Sequence, residues 1–272
     1  MELIDLTQEL AASETAAGVR YRREEPSKQV EATVAVEHFM DVYVNDLLTM
    51  KLVCSPCALP ELVLGRLYSE GMITSLADVT QLYLCQYGSR ARVTLNRQPQ
   101  VERQEDFVET TGTCCTSCHL CTCCTGNHVL NDVFRTGEAP KPVVPIAWEP
   151  EWFYRAASLI REGTELFNAT HGVHSCYLIR KGEILLFRED LGRHNALDKV
   201  LGAALMQGID LTECALFSSG RLPTDMIAKA IRAGIPMLAS KAAPTAQGIA
   251  LAQSYALTLI TSVRENQMIV YK

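Results

Sequence analysis

Residues 214–263 read CALFSSGRLPTDMIAKAIRAGIPMLASKAAPTAQGIALAQSYALTLITSV and show the clearest regular pattern in the chain. Three short apolar runs, at 214–217, 236–240 and 256–263, predict strands. Between them, apolar residues recur at helical spacing and predict helices at 223–233 and 244–253. This alternation is typical of an α/β fold in which helices cover a sheet.

The same pattern extends in both directions from this stretch. The further predicted elements are helix 151–162, a hairpin of strands 175–180 and 183–187 that turns at Lys181-Gly182, helix 194–206 and a final strand at 268–271. We therefore expect residues 151–272 to form one α/β domain.

Three further parts are predicted upstream of this domain. Residues 1–29 are polar and predict a loose N-terminal arm. Residues 30–107 predict a small α+β domain, with strands that alternate around an Asn45-Asp46 turn and a helix that ends at Gly71. Residues 108–150 combine a cysteine-rich segment that has almost no large apolar side chain with a proline-rich stretch, and predict a mobile loop and a linker.

Composition excludes several classes of protein. The chain has 272 residues, of which 48% are hydrophobic and 21% charged, so it can bury a core and is not disordered. A net charge of −6 argues against a non-specific nucleic-acid binder. The longest charge-free run, 242–263, is interrupted by Pro244 and predicts a helix and a strand rather than a membrane span. Without a recognisable export signal, we expect a cytoplasmic protein that contacts neither nucleic acid nor membrane.

Cysteine is the unusual feature of the composition. Six of the eleven cysteines fall within eleven residues: Cys114, Cys115, Cys118, Cys121, Cys123 and Cys124. The odd count, the long chain and the spacing favour reduced thiols over a disulfide scaffold. The other five are expected to be packing residues, namely Cys54 and Cys57 ahead of the first helix and Cys85, Cys176 and Cys214 in strands.

Three interpretations of the clustered cysteines compete. Overlapping C-x-x-C pairs resemble part of an iron–sulfur or zinc site, but the run lacks the closing C-x-x-x-C-P and its doublets make a ligand set ambiguous. A surface loop with no role is the second interpretation, although an exposed thiol cluster is an oxidation liability. We favour the third, a reactive thiol relay, because paired thiols suit the movement of a sulfur atom.

Three turns between a strand and a helix share a second pattern. They lie at 189–195, 218–221 and 240–245, and each combines small or hydroxyl residues with a cation: Arg193, Arg221 and Lys241. Backbone N–H groups and the helix dipole favour anions at such turns. Because the turns of an open α/β sheet share one edge, the sequence predicts a site there for a phosphorylated or nucleotide-like molecule.

Several of these residues resemble the motifs of a known family. Residues 188–199, REDLGRHNALDK, look like the hallmark segment of the formate dehydrogenase accessory sulfurtransferases, the FdhD family. Its later motifs are similar to SSGR at 218–221, APT at 243–245 and LTL at 257–259, in the same order, and SEG at 69–71 matches the end of its first helix. The resemblance runs from residue 30 to residue 272.

This resemblance implies a sulfurtransferase with a cysteine persulfide intermediate. A cysteine desulfurase would hand sulfur to the protein, which would pass it to the molybdenum or tungsten bis(molybdopterin guanine dinucleotide) cofactor of formate dehydrogenase. The cofactor would be a bound substrate, and no permanently bound metal is expected. The resemblance also implies a homodimer and a cytidine-deaminase-like C-terminal domain. Deaminase activity itself is not expected, because no H-x-E with a downstream P-C-x-x-C is present.

The family motifs also assign roles to residues. The persulfide carrier would lie among Cys115, Cys118, Cys121 and Cys124: anchoring on Thr111-Gly112 selects the first two, and anchoring on Leu130-Asn131-Asp132 selects the last two. The residues expected to bind the cofactor are Arg193, His194, Ser219, Gly220, Arg221 and Ser240, together with Ser262, Val263, Arg264, Glu265, Asn266 and Gln267. In this last segment the family is rich in glycine and arginine, whereas the present sequence keeps only Arg264.

Two other functions stay open at this point. One is a non-enzymatic module that binds a metal or a nucleotide. The other is a chaperone that delivers the cofactor without transferring sulfur.

Overall fold

Residues 1–96, 109–111 and 139–272 are described by a computed structural model. The elements of the first half are β1 (Glu2–Asp5), β2 (Ser13–Arg20), β3 (Lys28–Ala35), β4 (His38–Val44), β5 (Leu47–Cys54), α1 (Leu59–Ser69), β6 (Val79–Leu84), β7 (Arg90–Leu95) and β8 (Glu109–Thr111). Among the described residues these strands form a six-stranded sheet in the order β1-β6-β7-β4-β5-β8, and β2 and β3 form a separate hairpin.

One face of this N-terminal sheet packs against α1. Alternate residues of the strands, such as Val42, Leu52 and Val93, are buried together with Leu62 and Leu67 of the helix. Strand alternation and helical spacing thus place apolar side chains on facing surfaces, as the sequence predicts. The opposite face carries polar and charged side chains such as Arg90 and Arg92 of β7, and we call it the polar face of this sheet.

The structure confirms the predicted turn at Asn45-Asp46 and the predicted end of the first helix at Gly71. Asn45 and Asp46 both take positive φ angles, 48° and 62°, and join β4 to β5. Such angles suit the tight turn of a hairpin, in which asparagine and aspartate are tolerated. Gly71 follows the end of α1 with a φ of 76°.

The predicted loose arm is wrong for part of residues 1–29. Strand β1 pairs in parallel with β6, and β2 pairs with β3. Beyond β1, Leu6 N donates to the Leu84 carbonyl at 3.2 Å and Gln8 N donates to the Gln86 carbonyl at 2.9 Å. The pairing uses backbone groups at a sheet edge while most of the side chains stay exposed, so hydrophobic alternation gives little signal.

The elements of the second half follow the predicted order. They are α2 (Pro150–Arg161), α3 (Glu165–Thr170), β9 (His174–Arg180), β10 (Glu183–Asp190), α4 (Arg193–Gln207), β11 (Ala215–Ser218), α5 (Thr224–Arg232), β12 (Met237–Ser240), α6 (Ala246–Ser254), β13 (Thr258–Thr261) and β14 (Ile269–Tyr271). The C-terminal sheet has the order β10-β9-β11-β12-β13-β14. Its central strands β11, β12 and β13 are parallel, and the pairs β10–β9, β9–β11 and β13–β14 are antiparallel.

Both faces of the C-terminal sheet are covered, which confirms the predicted α/β class. Leu216 and Leu238 pack in one buried cluster with residues of α4, α5 and α6. Their neighbours Phe217 and Ala239 point to the opposite face, where they pack with Phe153 of α2. Burial on both faces explains why these strands read as continuous apolar runs. The cytidine-deaminase-like character of this domain stays a prediction.

Two glycines bring the halves together. A Cβ atom added at Gly65 of α1 would lie 1.7 Å from the Asp198 carbonyl oxygen, and one added at Gly202 of α4 would lie 1.9 Å from the Glu61 carbonyl oxygen. Only glycine permits helix backbones to approach so closely. Helix α1 therefore packs between its own sheet and α4.

The remaining segments differ in how far the structure describes them. Helix α3 was not predicted because it is only six residues long. Residues 108 and 112–138 of the predicted loop and linker lie outside the described residues, as do residues 97–107 at the end of the predicted small domain. Within the predicted linker, Val143 is buried and its N–H donates to the Tyr255 carbonyl at 2.9 Å. None of the helices that the structure describes is both long and apolar enough to span a membrane.

Candidate functional site

The carboxyl ends of β11, β12 and β13 define one edge of the C-terminal sheet. Since these strands are parallel, the turns that follow them meet at this edge. The antiparallel strands β9 and β10 bring His174 and Asp190 to the same edge, so the turn into α4 joins the group. We call this region the carboxyl edge; it comprises His174 and the segments 190–193, 218–221, 240–245 and 262–267. The prediction that the three strand-to-helix turns share an edge is confirmed.

Hydrogen bonds tie these turns to one another. Leu222 N donates to the Ala243 carbonyl at 3.2 Å, Ser262 N to the Ala242 carbonyl at 3.2 Å and Val263 N to the Ser240 carbonyl at 3.1 Å. The turn backbones are therefore held in a fixed arrangement, as binding through backbone N–H groups requires.

The predicted site residues Ser219 and Ser240 have their hydroxyls engaged within the edge. Ser240 Oγ donates to the Gly220 carbonyl at 2.6 Å and accepts from Ala242 N at 2.9 Å. Ser219 Oγ accepts from Ser175 N at 3.0 Å and lies 3.2 Å from His174 Nδ1. Both side chains thus shape the turns.

Gly220 and Arg193 lie against each other. A Cβ atom at Gly220 would fall 2.8 Å from Arg193 Cδ and 2.9 Å from Arg193 Cβ. The glycine therefore leaves room for the arginine to extend along the start of α4. This contact joins two residues that the sequence assigned to the same site from separate motifs.

Cations collect at the edge. Arg221 is exposed, and Lys241 Nζ lies 5.5 Å from the centre of the Phe167 ring. Arg264 Nη1 donates to the carbonyls of Lys241 at 2.7 Å and Val263 at 2.8 Å, so its guanidinium is fixed beside the turn after β12. With Arg193, these side chains can pair with phosphate oxygens, for which guanidinium groups are well suited.

The pKa of His174 reflects both its burial and the positive charges at this edge. Burial lowers the pKa of His174, and the nearby charges of Arg193 and Lys241 lower it further. An imidazole disfavoured in its charged form by neighbouring cations marks a site at which an anion is favoured. The sequence motifs did not point to His174. The start of β9 brings it to the edge through long-range strand pairing.

His194 lies inside the fold. It is 3% exposed, and its Nε2 lies 2.9 Å from Asp225 Oδ2. Burial lowers the pKa of His194 and outweighs the opposing attraction of Asp225. The ring joins the first turn of α4 to α5, so it is placed to position the edge.

The segment 262–267 combines a buried residue with exposed residues of both charges. Ser262 has a positive φ of 53°, and Val263 is buried. Arg264 N donates to the Gln267 carbonyl at 2.8 Å and closes a turn in which Arg264, Glu265, Asn266 and Gln267 are exposed. The Glu265 carboxylate pairs with Arg161 at 2.6 Å, which reduces its repulsion of a phosphate.

A buried ion pair below the edge was not found from the sequence. Lys199 Nζ lies 2.6 Å from Asp190 Oδ2, and both side chains are fully buried. Asp190 also accepts from the backbone N–H of Ser55 in the N-terminal half at 3.0 Å and from Gly192 N at 3.0 Å. This contact links the turn into α4 with the segment between β5 and α1. Its sequence signal was the pair of charges within the hallmark segment 188–199.

The cysteines divide into two groups. The predicted carriers Cys115, Cys118, Cys121 and Cys124 lie outside the described residues. Strand β8, which ends at Thr111 three positions before Cys114, pairs in parallel with β5 at the edge of the N-terminal sheet. Within the described parts of the chain, no group of three or more side chains is arranged to hold a metal ion.

The described cysteines are all free thiols, and they differ from the prediction in two places. Cys54, Cys176 and Cys214 are buried, as predicted. Cys57 is exposed and Cys85 is partly exposed, so the packing role predicted for both is wrong. Cys57 lies in a turn ahead of α1 and Cys85 lies just beyond the end of β6, where side chains are no longer covered by the helix.

Comparison with known proteins agrees with this architecture. A family model described as FdhD/NarQ family matches residues 35–272. The chain is 31% identical over 242 residues to "Sulfur carrier protein FdhD" of Halalkalibacterium halodurans, covering 89% of this chain and 87% of that protein. It is 31% identical over 254 residues to the protein of the same name from Bacillus subtilis, covering 93% and 92%. A crystal structure titled as a putative formate dehydrogenase accessory protein from Desulfotalea psychrophila shares the fold, with a TM-score of 0.75, 24% identity and coverage of 96% and 97%.

Proposed function

The chain belongs to the FdhD/NarQ family, and on that premise we propose that it is a sulfur carrier. It receives persulfide sulfur from a cysteine desulfurase and transfers it to the molybdenum or tungsten bis(molybdopterin guanine dinucleotide) cofactor that formate dehydrogenase requires. The name of these relatives, sulfur carrier protein, supports the carrier role in this proposal. The proposal includes a cytoplasmic location and a homodimer.

The carboxyl edge is the observation that carries the proposal. Four cationic side chains, Arg193, Arg221, Lys241 and Arg264, surround turns whose backbones are tied together by hydrogen bonds. A dinucleotide cofactor presents pyrophosphate groups, which pair with guanidinium and backbone N–H donors. The carboxyl edge is thus suited to bind the pyrophosphate groups of the cofactor, which are distant from its metal.

The thiols supply the chemistry in this proposal. A thiolate among Cys115, Cys118, Cys121 and Cys124 attacks the outer sulfur of the donor's persulfide, forming a new S–S bond as the donor's S–S bond breaks. The donor leaves as a thiolate, and the carrier holds the outer sulfur as its own persulfide. A neighbouring cysteine thiolate then attacks the carrier's own sulfur atom of that persulfide, so that a disulfide forms between the two cysteines and the outer sulfur leaves as sulfide. The two cysteines thus supply the two electrons, the sulfide passes to the cofactor bound at the carboxyl edge, and an external thiol later reduces the disulfide.

Sulfur transfer is tested by incubation with a desulfurase and radiolabelled cysteine. Label is expected on the wild-type protein and not on a variant with all four cysteines changed to alanine. Cys57→Ser, which removes an exposed thiol outside the cluster, serves as the control and should keep the label. Absence of label from the wild type, or its retention by the four-cysteine variant, rejects the carrier role.

Anion binding at the edge is tested with guanosine diphosphate. Arg221→Gln should weaken binding about tenfold, because one charge-assisted contact to phosphate is lost. Lys181→Gln provides the matched control: this exposed cation lies in the β9–β10 turn at the opposite edge of the same sheet. Equal affinities for the wild type and Arg221→Gln would place the nucleotide elsewhere.

Rescue of formate dehydrogenase in cells that lack the accessory protein separates sulfur transfer from the alternatives. A chaperone that only delivers the cofactor predicts rescue by the four-cysteine variant and nucleotide binding that is unchanged. A metal-binding module predicts stoichiometric zinc, or iron with acid-labile sulfide, in protein purified without oxygen. The sulfur-carrier proposal predicts no rescue by that variant.

A further inference from the structure

The polar face of the N-terminal sheet contains a cavity that the proposed function does not use. This open cavity has a volume of about 460 Å³, and its lining includes Gln81, Tyr83, Cys85, Arg90, Arg92 and Asp46. Arg90 and Arg92 alternate along β7 with the buried residues Ala91 and Val93, which places both guanidinium groups on the outer face.

The charge of this cavity favours an anion. Arg90 lies over the Tyr43 ring, with 5.8 Å from its guanidinium carbon to the ring centre. Arg92 lines the same cavity, and its side chain makes no hydrogen bond or ion pair with any residue that the structure describes. Asp46 is the one acidic residue of the lining. The nearby Asp41 carboxylate lies 3.6 Å from Lys51 Nζ, so that charge is already paired. Two arginines against one aspartate leave room for a carboxylate-bearing ligand.

A thiol is part of the same wall. Cys85 is partly exposed, and its Sγ lies 3.6 Å from Ser89 Oγ. Partial burial alone would raise the pKa of the Cys85 thiol. Hydrogen bonds from Ser89 and from the backbone N–H groups of Tyr87 and Arg90 outweigh this effect and hold the pKa below its usual value. A lowered pKa increases the fraction of Cys85 present as thiolate, which is the nucleophilic form of cysteine.

We propose that this cavity is a thiol-exchange site, in which Cys85 reacts with a small anionic disulfide bound by Arg90 and Arg92. The Cys85 thiolate attacks one sulfur of the disulfide, a mixed disulfide forms, and the other half of the reagent leaves as a thiolate. Cys85 is oxidised in this step, and the half of the reagent that leaves is reduced. A second small thiol reverses the reaction. This inference does not depend on sulfur transfer by the clustered cysteines.

The charge preference of the reaction is the test. The full-length protein is treated separately with oxidised glutathione, which is anionic, and with cystamine, which is cationic. The rate of mixed-disulfide formation at Cys85 is read by peptide mass spectrometry. Each rate is divided by the rate at Cys85 in the denatured chain, which removes the intrinsic difference between the reagents. We expect the folded protein to prefer oxidised glutathione by about tenfold, since local charge raises the encounter rate of an oppositely charged reagent.

Matched variants assign the preference to the cavity. Arg90→Gln combined with Arg92→Gln should reduce the preference to about one, whereas Arg20→Gln combined with Lys28→Gln, which removes two exposed cations from the β2–β3 hairpin, should leave it unchanged. A wild-type preference near one, or a preference that survives the loss of Arg90 and Arg92, overturns the proposal. So does a failure of Cys85 to react with oxidised glutathione in the folded protein.

Discussion

At the scale of single residues, the carboxyl edge depends on small groups that keep larger ones in place. Gly220 leaves space for Arg193. The Ser240 hydroxyl bonds to the backbone of Gly220 and of Ala242, and so connects the turn after β11 to the turn after β12. These residues do not need to touch a ligand to affect its binding. A change of one methyl group can therefore alter the site while the fold survives.

Gly220→Ala tests this dependence. The new methyl group would lie within 3 Å of the Arg193 side chain, which must move away from its position at the start of α4. We expect the affinity for guanosine diphosphate to fall about tenfold, measured by titration calorimetry, with a change in thermal stability of no more than a few degrees. Gly18→Ala is the control, because no atom lies within 4 Å of a Cβ added there. Unchanged affinity in Gly220→Ala would mean that the position of Arg193 does not matter for binding.

His194 predicts how stability depends on pH. Its pKa is lowered in the folded protein by burial, so below about pH 6.5 the unfolded chain takes up a proton that the folded chain does not. Stability is therefore lost as the pH falls through the unfolded value. Between pH 7 and pH 5.5 the wild type should lose about 1 kcal/mol more than His194→Gln in urea unfolding.

The exposed His171, at the end of α3, provides the control for this pH effect. His171→Gln should retain the full loss of the wild type. Parallel pH curves for the wild type and His194→Gln would show that the imidazole does not stay neutral in the fold.

At the scale of elements, regular structure was predictable where one physical signal dominated. Helix α4 and the strands β11 and β12 were placed within one residue, because continuous apolar runs and helical spacing reflect burial directly. The tight turn at Asn45-Asp46 followed from residue type. Strand β1 was missed because it lies at the edge of its sheet with most of its side chains exposed, so its sequence shows no alternation of apolar and polar residues.

The residues of the carboxyl edge likewise fall into those that could be recognised from the sequence and those that could not. The turns after β10, β11 and β12 were recognised from local composition, which is a property of neighbouring residues. The contact of Asp190 with Ser55 and the approach of His174 to Ser219 join residues that are distant in sequence, 135 and 45 positions apart. Such contacts require the register of the sheet, which sequence spacing alone does not supply.

The crossing of α1 and α4 carries a prediction of its own. Gly65→Ala would place a methyl group 1.7 Å from a backbone oxygen of α4, and a backbone cannot yield as a side chain can. We expect a loss of about 3 kcal/mol in the free energy of unfolding, measured with urea. Gly248→Ala in α6 is a helical comparison, because the nearest atom there is the end of the Ile227 side chain at 2.8 Å and the nearest backbone atom, the Leu222 carbonyl oxygen, is 3.0 Å away rather than 1.7 Å. Its loss should be about 1 kcal/mol or less, since alanine favours the helix. Equal losses would contradict the close crossing.

At the scale of the whole molecule, the N-terminal and C-terminal halves, each built on its own sheet, meet at one interface. The α1–α4 crossing, the ion pair of Glu61 with Arg188 and the contact of Asp190 with Ser55 all join the N-terminal half to the hallmark segment of the C-terminal half. Ser55 of the N-terminal half donates its N–H to Asp190, and its carbonyl accepts from Lys199 Nζ. Buried polar groups that lose such partners cost about 1 to 3 kcal/mol each, so local separation of the halves is unfavourable.

The halves should therefore unfold together, and a ligand of one should stabilise both. Both tryptophans, Trp148 and Trp152, lie by α2 and report the C-terminal half, whereas hydrogen exchange of α1 amides reports the N-terminal half. We expect the two signals to give the same free energy of unfolding. Guanosine diphosphate at 100 times its dissociation constant should raise both by about 2.7 kcal/mol, although its proposed site lies on the C-terminal sheet alone. At the same nucleotide concentration, Arg221→Gln should show a smaller increase in both. Stabilisation confined to the tryptophan signal would instead show that the interface opens independently of the nucleotide site.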